Sequence, residues 1–187
     1  MKSLIFIGLL HYPVYNKKGD TVASAITNFD LHDIARVAKT YGIQRLYIIN
    51  PFRDQKRLAQ RILDHWLKGQ GNIYNPVRAR ALELVDIVHS LEEAIQDIVE
   101  RWGYRPKLIV TDAKMHSNCI SYPAAREMLC EKDTYLILFG TAWGIAKEVM
   151  DRADYILAPI QGNSNYNHLS VRSAAAIILD RLLGDNR

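Results

Sequence analysis

Residues 134–183 read TYLILFGTAWGIAKEVMDRADYILAPIQGNSNYNHLSVRSAAAIILDRLL. Within them, 135–139 is a short apolar run rich in aromatic and β-branched side chains, the pattern of a buried strand. Gly140 follows at once, with Gly144 four residues on, and a second apolar run at 155–158 is stopped by Pro159. The next segment, IQGNSNYNH (160–168), is polar. LSVRSAAAIILDRLL (169–183) then has helical periodicity, with Ser170 placed as its cap. Strand, glycine turn, short helix, strand, polar loop and helix follow one another, and polar loops just past buried strands are where open α/β sheets bind ligands.

Toward the N-terminus, 3–10 is continuously apolar and reads as a central strand. The turn-rich segment 11–20 at its end is placed to rim a site. Thr27 or Asp30 caps the helix LHDIARVAKTYG (31–42), which Gly42 ends. Residues 45–50 form a strand. Residues 52–68 are basic and amphipathic, with Leu58, Ile62, Leu63 and Trp66 as the expected buried stripe and Arg53, Lys56, Arg57, Arg61 and Lys68 outside. GQGNIYNPVRARA (69–81) reads as a loop in which Tyr74 is interleaved with Arg78 and Arg80, a mixture suited to base stacking and phosphate contact and common on ordinary surfaces too. A strand at 84–88, a helix at 91–102, a strand at 107–111, a loop at 112–121 and a short helix at 122–129 complete the chain. About six strands alternating with about six helices specify an α/β fold, a mostly parallel sheet with helices on both faces. No linker divides the chain, so one domain over 1–187 is expected.

The 187 residues, 49% apolar, suffice for a well-packed core. No run has transmembrane length, and 1–10 lacks the flanks of a signal peptide. Two cysteines, Cys119 and Cys130, make no disulfide framework, and a cytoplasmic location is expected. Charge is uneven: 1–80 carries 13 Lys/Arg against 5 Asp/Glu, a balance of +8, whereas 81–187 carries 11 against 15, a balance of −4. A basic half is what a polyanion-binding face looks like, and an Arg-rich soluble surface looks the same.

There is no P-loop and no GxGxxG fingerprint, and the six histidines have no metal-ligand spacing. His168, in the polar loop, is the histidine that stands as a functional candidate. Cys119 beside His116 and Asn118 reads as a free structural thiol, and Ser164 has no nucleophile elbow around it. Arg36 has two readings from its position alone: a phosphate clamp beside a ligand loop, or a salt bridge to Asp33.

Three stretches together, TNFDLHDIARVAKTYG (27–42), LILFGTAWGI (136–145) and ILAPIQGNSNYNHLSVRSAAAIILDRL (156–182), resemble the SPOUT superfamily of S-adenosylmethionine (SAM)-dependent RNA methyltransferases. Within it the chain looks most like small bacterial proteins that are sometimes fused to a tRNA guanine-N1 methyltransferase. The resemblance runs over essentially the whole chain. It implies a C-terminal deep trefoil knot, a homodimer with its sites by the subunit interface, and SAM held by backbone loops, with no metal and no membrane. The cofactor loops would be Phe139, Gly140, Thr141, Ala142, Trp143 and Gly144, then Ala158, Pro159, Ile160 and Gly162, with Asn167, and Leu169 near the adenine. Asn28 and Arg36 match an asparagine and an arginine of the ribose-methylating branch, where the arginine faces RNA.

One departure matters. Where that branch reads roughly SLNVSVA, this chain reads Tyr166-Asn167-His168-Leu169-Ser170-Val171-Arg172. Ribose 2′-O transfer is therefore not implied, and a base nitrogen or carbon stays open as acceptor. His168 or Tyr166 would orient the nucleophile, His168 would take a proton, and Asn165 and Asn167 would orient a base edge. The expected activity is SAM-dependent methylation of tRNA or rRNA. The alternatives are an RNA-binding module with a vestigial cofactor pocket and a small-molecule α/β enzyme.

Overall fold

Apolar runs stopped by proline, glycine or polar clusters become strands in the computed structural model, which describes residues 3–185. In chain order the strands are β1 (Leu4–Leu10), β2 (Val14–Tyr15), β3 (Thr21–Val22), β4 (Leu46–Ile49), β5 (Val85–Val88), β6 (Lys107–Thr111), β7 (Cys119–Ile120), β8 (Thr134–Gly140) and β9 (Tyr155–Leu157). Seven of them form one sheet in the order β5-β4-β1-β8-β6-β9-β7, with parallel pairings throughout the described residues. β2 and β3 make a separate antiparallel hairpin. The outermost residues of the expected 1–187 domain, 1–2 and 186–187, lie outside the described residues.

The helices are α1 (Asn28–Thr40), α2 (Arg53–Leu67), α3 (Gln70–Tyr74), α4 (Pro76–Leu82), α5 (Leu91–Trp102), α6 (Tyr122–Cys130), α7 (Lys147–Met150) and α8 (Val171–Leu183). Both sheet faces are covered, and β1 shows why its sequence is apolar without alternation. Ile5, Ile7 and Leu9 pack in one core with residues of α1, α2, α4, α6 and α8. Phe6 and Leu10 pack in the other with residues of α5 and α7. Helix starts follow local chemistry. The Thr27 hydroxyl accepts from the Asp30 N–H at 3.2 Å, and the Ser90 hydroxyl accepts from Glu93 N–H at 3.2 Å.

Four details depart from the expectation. The span 69–81 is not a loop but α3 and α4: Asn75 accepts from the Arg78 N–H at 3.0 Å, Pro76 opens α4, and Gly71 brings α3 onto the Trp66 ring, where a Cβ would sit 2.7 Å from Cε3. Within 11–20 lies half of the β2–β3 hairpin, and 112–121 ends in the two-residue edge strand β7. Leu58, expected in the buried stripe of α2, is 46% exposed, because Ala59 and Leu63 point to the core instead.

The register matters most for function. Leu10 pairs with Gly140, Leu10 with Ile49, and Thr111 with Leu157. The next residues, His11, Asn50, Asp112, Thr141 and Ala158, therefore all leave the sheet at the same edge.

Gly8 sits where β1 passes β8 and β4. A Cβ there would lie 2.6 Å from Leu138 Cδ2 and 3.2 Å from Ile49 Cδ1. Gly8→Ala is expected to cost about 1–3 kcal/mol through overpacking, which lowers the thermal midpoint by several degrees in a scanning calorimetry comparison with wild type.

Candidate functional site

A buried chain of hydrogen bonds closes the edge beneath the glycine turn. Thr141 Oγ1 donates to the Leu10 carbonyl at 2.9 Å, so its one proton is used. The 2.6 Å contact between Ser24 Oγ and Thr141 Oγ1 is then donated by Ser24. The 2.8 Å contact from His11 Nδ1 to Ser24 must in turn be donated by the ring. His11 is thus the Nδ1–H tautomer, fully buried, and its Nε2 is an acceptor without a donor among the described residues. Burial holds its pKa down, from 6.5 to about 4, against the pull of Asp30.

Above this chain runs the turn 140–144. A Cβ on Gly140 would lie 2.5 Å from Ile145 Cγ1 and 3.2 Å from its nitrogen, so only glycine lets the chain fold back there. Ala142 has φ 53°, the kind of backbone strain that collects at ligand sites, and Gly144 has φ 108°, which glycine adopts without strain. The β2–β3 hairpin clamps the turn: Trp143 N–H donates to Tyr15 O at 3.0 Å, Tyr15 N–H to Gly144 O at 2.9 Å, and Ala146 N–H to Pro13 O at 3.2 Å. Trp143 is 59% exposed, while the Phe139 side chain is committed to the core, which leaves only its backbone to meet a ligand.

One further loop comes up to the turn, and a second meets that loop. Asp112, just past β6, places Oδ1 4.0 Å from where a Gly144 Cβ would be. The loop after β9 begins with Ala158 N–H donating to Ile120 O at 2.9 Å and with Pro159 buried. It crosses to the Asp112 loop through Asn167 Nδ2, which donates to Ala113 O at 2.7 Å. Ile160 is half-buried, Gly162, Asn165, His168 and Leu169 are exposed, and Tyr166 packs edge-on against His168 with ring centroids 5.5 Å apart. Ser170 then caps α8 by accepting from Ser173 N–H at 3.3 Å.

The α1 side supplies the charge. Asn28 is the exposed first residue of α1, and Arg36 is exposed two turns on. The Asp33 partner considered for Arg36 is taken by Arg172, whose NH1 lies 3.3 Å from Asp33 Oδ2 and whose Nε lies 3.6 Å from Asp30 Oδ1. Its guanidinium also covers the Phe29 ring at 5.3 Å. Among the described residues Arg36 has no ion pair. It lines a groove of about 560 Å³ with Ser170, Arg172 and Ser173, which brings it to the end of the 158–170 loop. Asp33, Val37 and Tyr41 lie along the same groove.

A family model described as SAM-dependent RNA methyltransferase matches residues 4–184. The chain belongs to that family. Solved structures share the architecture. A probable methylase family protein from Haemophilus influenzae superposes with a TM-score of 0.61 at 19% identity, covering 97% of this chain and 66% of that one. The SpoU methyltransferase AviRb from Streptomyces viridochromogenes, solved with AdoMet, superposes at 0.59 with 18% identity over 98% of this chain and 58% of that one. At such identities the likeness is one of fold. In sequence, a tRNA (guanine-N(1)-)-methyltransferase from Oleidesulfovibrio alaskensis is 49% identical over 181 residues, 97% of this chain. This chain spans only 42% of that relative's length. An uncharacterized protein from Aquifex aeolicus, 44% identical over 184 residues, is matched over 98% of this chain and 90% of its own.

The glycine turn and the 158–169 loop, both expected to hold a ligand, follow β8 and β9 at the same sheet edge, with the Asp112 loop linked to each. It did not find His11, Ser24 and Asp112 as site components, nor Arg172 as the partner of Asp33. The polar residues directly after each strand were the available signal. Among the described residues no three of His, Cys, Asp and Glu gather to hold a metal, and no helix is long and apolar enough to cross a membrane.

His11 makes the stability of this edge depend on pH. The folded state holds the ring neutral down to about pH 4, whereas an unfolded histidine binds a proton near 6.5. Between those values the unfolded state carries more protons, so stability falls as pH falls from 6.5 to 4, by roughly 3 kcal/mol in all. Urea melts at pH 7 and pH 4.5 should show this loss, and His11→Gln should remove most of the slope.

Proposed function

We propose that this protein transfers a methyl group from SAM to RNA, with tRNA and rRNA as the substrate class. The reading rests on one observation: the glycine-flanked turn 140–144, with Ala142 at φ 53°, lies beside Asp112, whose loop is tied to the 158–170 loop through Asn167, in a chain of this family.

The donor set suits the cofactor. Backbone groups of Phe139, Gly140, Thr141, Ala142 and Gly144, with Ala158, Pro159, Ile160 and Gly162 opposite, form a cradle open to an adenosyl group. Trp143 and Leu169 offer apolar surface, and Asn167 is fixed by its bond to Ala113. When bound, SAM supplies an activated methyl group on a sulfonium. The chain's own part is alignment, exclusion of water and management of charge.

Arg36 is assigned to the RNA, as a phosphate clamp or a polariser of the acceptor, with Asn28 beside it on α1. Arg172 supports that role by holding Asp33 away from Arg36. Tyr166, His168 and Asn165 are assigned to orienting the nucleotide. The RNA platform extends to α2–α4, where 53–80 holds seven Lys/Arg against two Asp/Glu. There Tyr74 is 87% exposed and Arg78 covers the Trp66 ring at 4.9 Å. The reading includes a single domain, a C-terminal trefoil knot, a homodimer and a cytoplasmic location. The acceptor atom is open, because the guanine-N1 name belongs to longer relatives.

Two measurements test it. Calorimetric titration with SAM and S-adenosylhomocysteine should give micromolar binding by wild type and none by Gly140→Trp; a well-folded wild type that binds neither, alone or with bulk RNA, sinks the reading. Arg36→Ala should lower transfer to RNA by about tenfold or more and leave SAM affinity nearly unchanged, since a phosphate clamp acts on the other substrate.

A further inference from the structure

We propose that Asp112 and His116 are the proton-accepting pair of the transfer site, with His116 Nδ1 as the atom that receives the proton. The inference builds on the reading of the edge loops as a SAM-dependent site.

Three contacts place the pair. Thr111 Oγ1 donates to Leu138 O at 2.9 Å, tying the end of β6 to the central strand. Asp112 Oδ1 then lies beside Gly144, in the cofactor turn, and accepts from Lys114 N–H at 3.2 Å. Ala113, the next residue, accepts from Asn167 of the other cofactor loop. The Asp112 loop thus touches both segments assigned to the cofactor, the turn at Gly144 and the 158–170 loop at Asn167.

The pair itself is oriented. Asp112 Oδ2 lies 2.8 Å from His116 Nε2, and a carboxylate only accepts, so Nε2 carries the hydrogen. Nδ1 is left as the basic nitrogen, and no described residue hydrogen-bonds it. The ring is about one-third exposed, with its side chain at 32%, and its backbone N–H is anchored on Cys119 Sγ at 3.4 Å. This is the logic of an acid-oriented imidazole: the carboxylate fixes the tautomer and stabilises the imidazolium that forms. His168, by contrast, packs on Tyr166 and has no carboxylate partner among the described residues.

The step balances for an acceptor that bears a proton, a ring N–H, an amine or a hydroxyl. A bond forms between acceptor and methyl carbon, the sulfonium sulfur–carbon bond breaks, and the acceptor's proton passes to Nδ1 and then to water.

Two arms test the pair in the full-length protein. In ¹⁵N-imidazole NMR, His116 should show the Nε2–H tautomer, and saturating S-adenosylhomocysteine should shift its ring nitrogens but not those of His65 at the far end of α2. An unmoved His116 under saturation overturns the proposal. Failure of wild type to bind S-adenosylhomocysteine would instead remove the cofactor reading beneath it. In transfer of tritiated methyl to total RNA from a strain lacking the gene, His116→Ala should lose about a hundredfold or more, regain part of it with added imidazole, and keep its S-adenosylhomocysteine affinity. His168→Ala should lose less than about tenfold. Transfer by His116→Ala within roughly threefold of wild type, or a loss that imidazole does not restore, overturns the proposal.

Discussion

β8 is held on both sides by parallel partners, β1 over seven registered pairs and β6 over four. That double grip fixes where the strand ends, and the turn 140–144 takes its position from it. Leu10 pairs with Gly140, so Thr141 meets the Leu10 carbonyl and the His11–Ser24–Thr141 chain closes. Thr111 reaches the Leu138 carbonyl, so Asp112 arrives beside Gly144. A one-residue slip would invert every side chain of β8 between two cores and separate these loops together. The absence of a side chain at Gly8 is part of the same constraint, since the three strands close over it.

A second consequence of this arrangement is a separation of tasks. The sheet edge offers backbone and small side chains, suited to close approach by a cofactor. Positive charge lies on the α1 and α2–α4 side, suited to a polyanion. Arg172 joins the two regions. Its charge is spent on Asp30 and Asp33, and its plane on Phe29, so the neighbouring carboxylate is occupied and Arg36 has no ion pair among the described residues.

Much of this was legible beforehand, because it is written in local chemistry. Pro159 ends an apolar run, Ser170 and Thr27 cap helices, and Gly140 follows a strand, each within a few residues of what it controls. The α3–α4 pair was misread because Gly71 and the Asn75-Pro76 step look like loop punctuation, while in the fold one packs on Trp66 and the other starts a helix. The site was only half legible. Asp33 and Arg172 are 139 positions apart, and Ser24 and Thr141 are 117 apart, and nothing local joins them. His116 lies four residues from Asp112, close enough to be noticed, but its meaning depends on a loop crossing from Asn167. The cofactor came from the resemblance of three stretches to a family, not from composition or periodicity.

The order of strands also sets a schedule for the growing chain. Leu4 pairs with Thr134, 130 positions later, and β9 enters between β6 and β7, both made before it. As the chain leaves the ribosome, β1 and β6 wait with open edges until the last third has been synthesised. An unpaired apolar strand in that interval is a template for wrong pairing, and loops closed over such distances form slowly. The same late insertion that brings the ligand loops to the edge leaves apolar strand edges of the nascent chain open until then, the condition in which misassembly competes with folding.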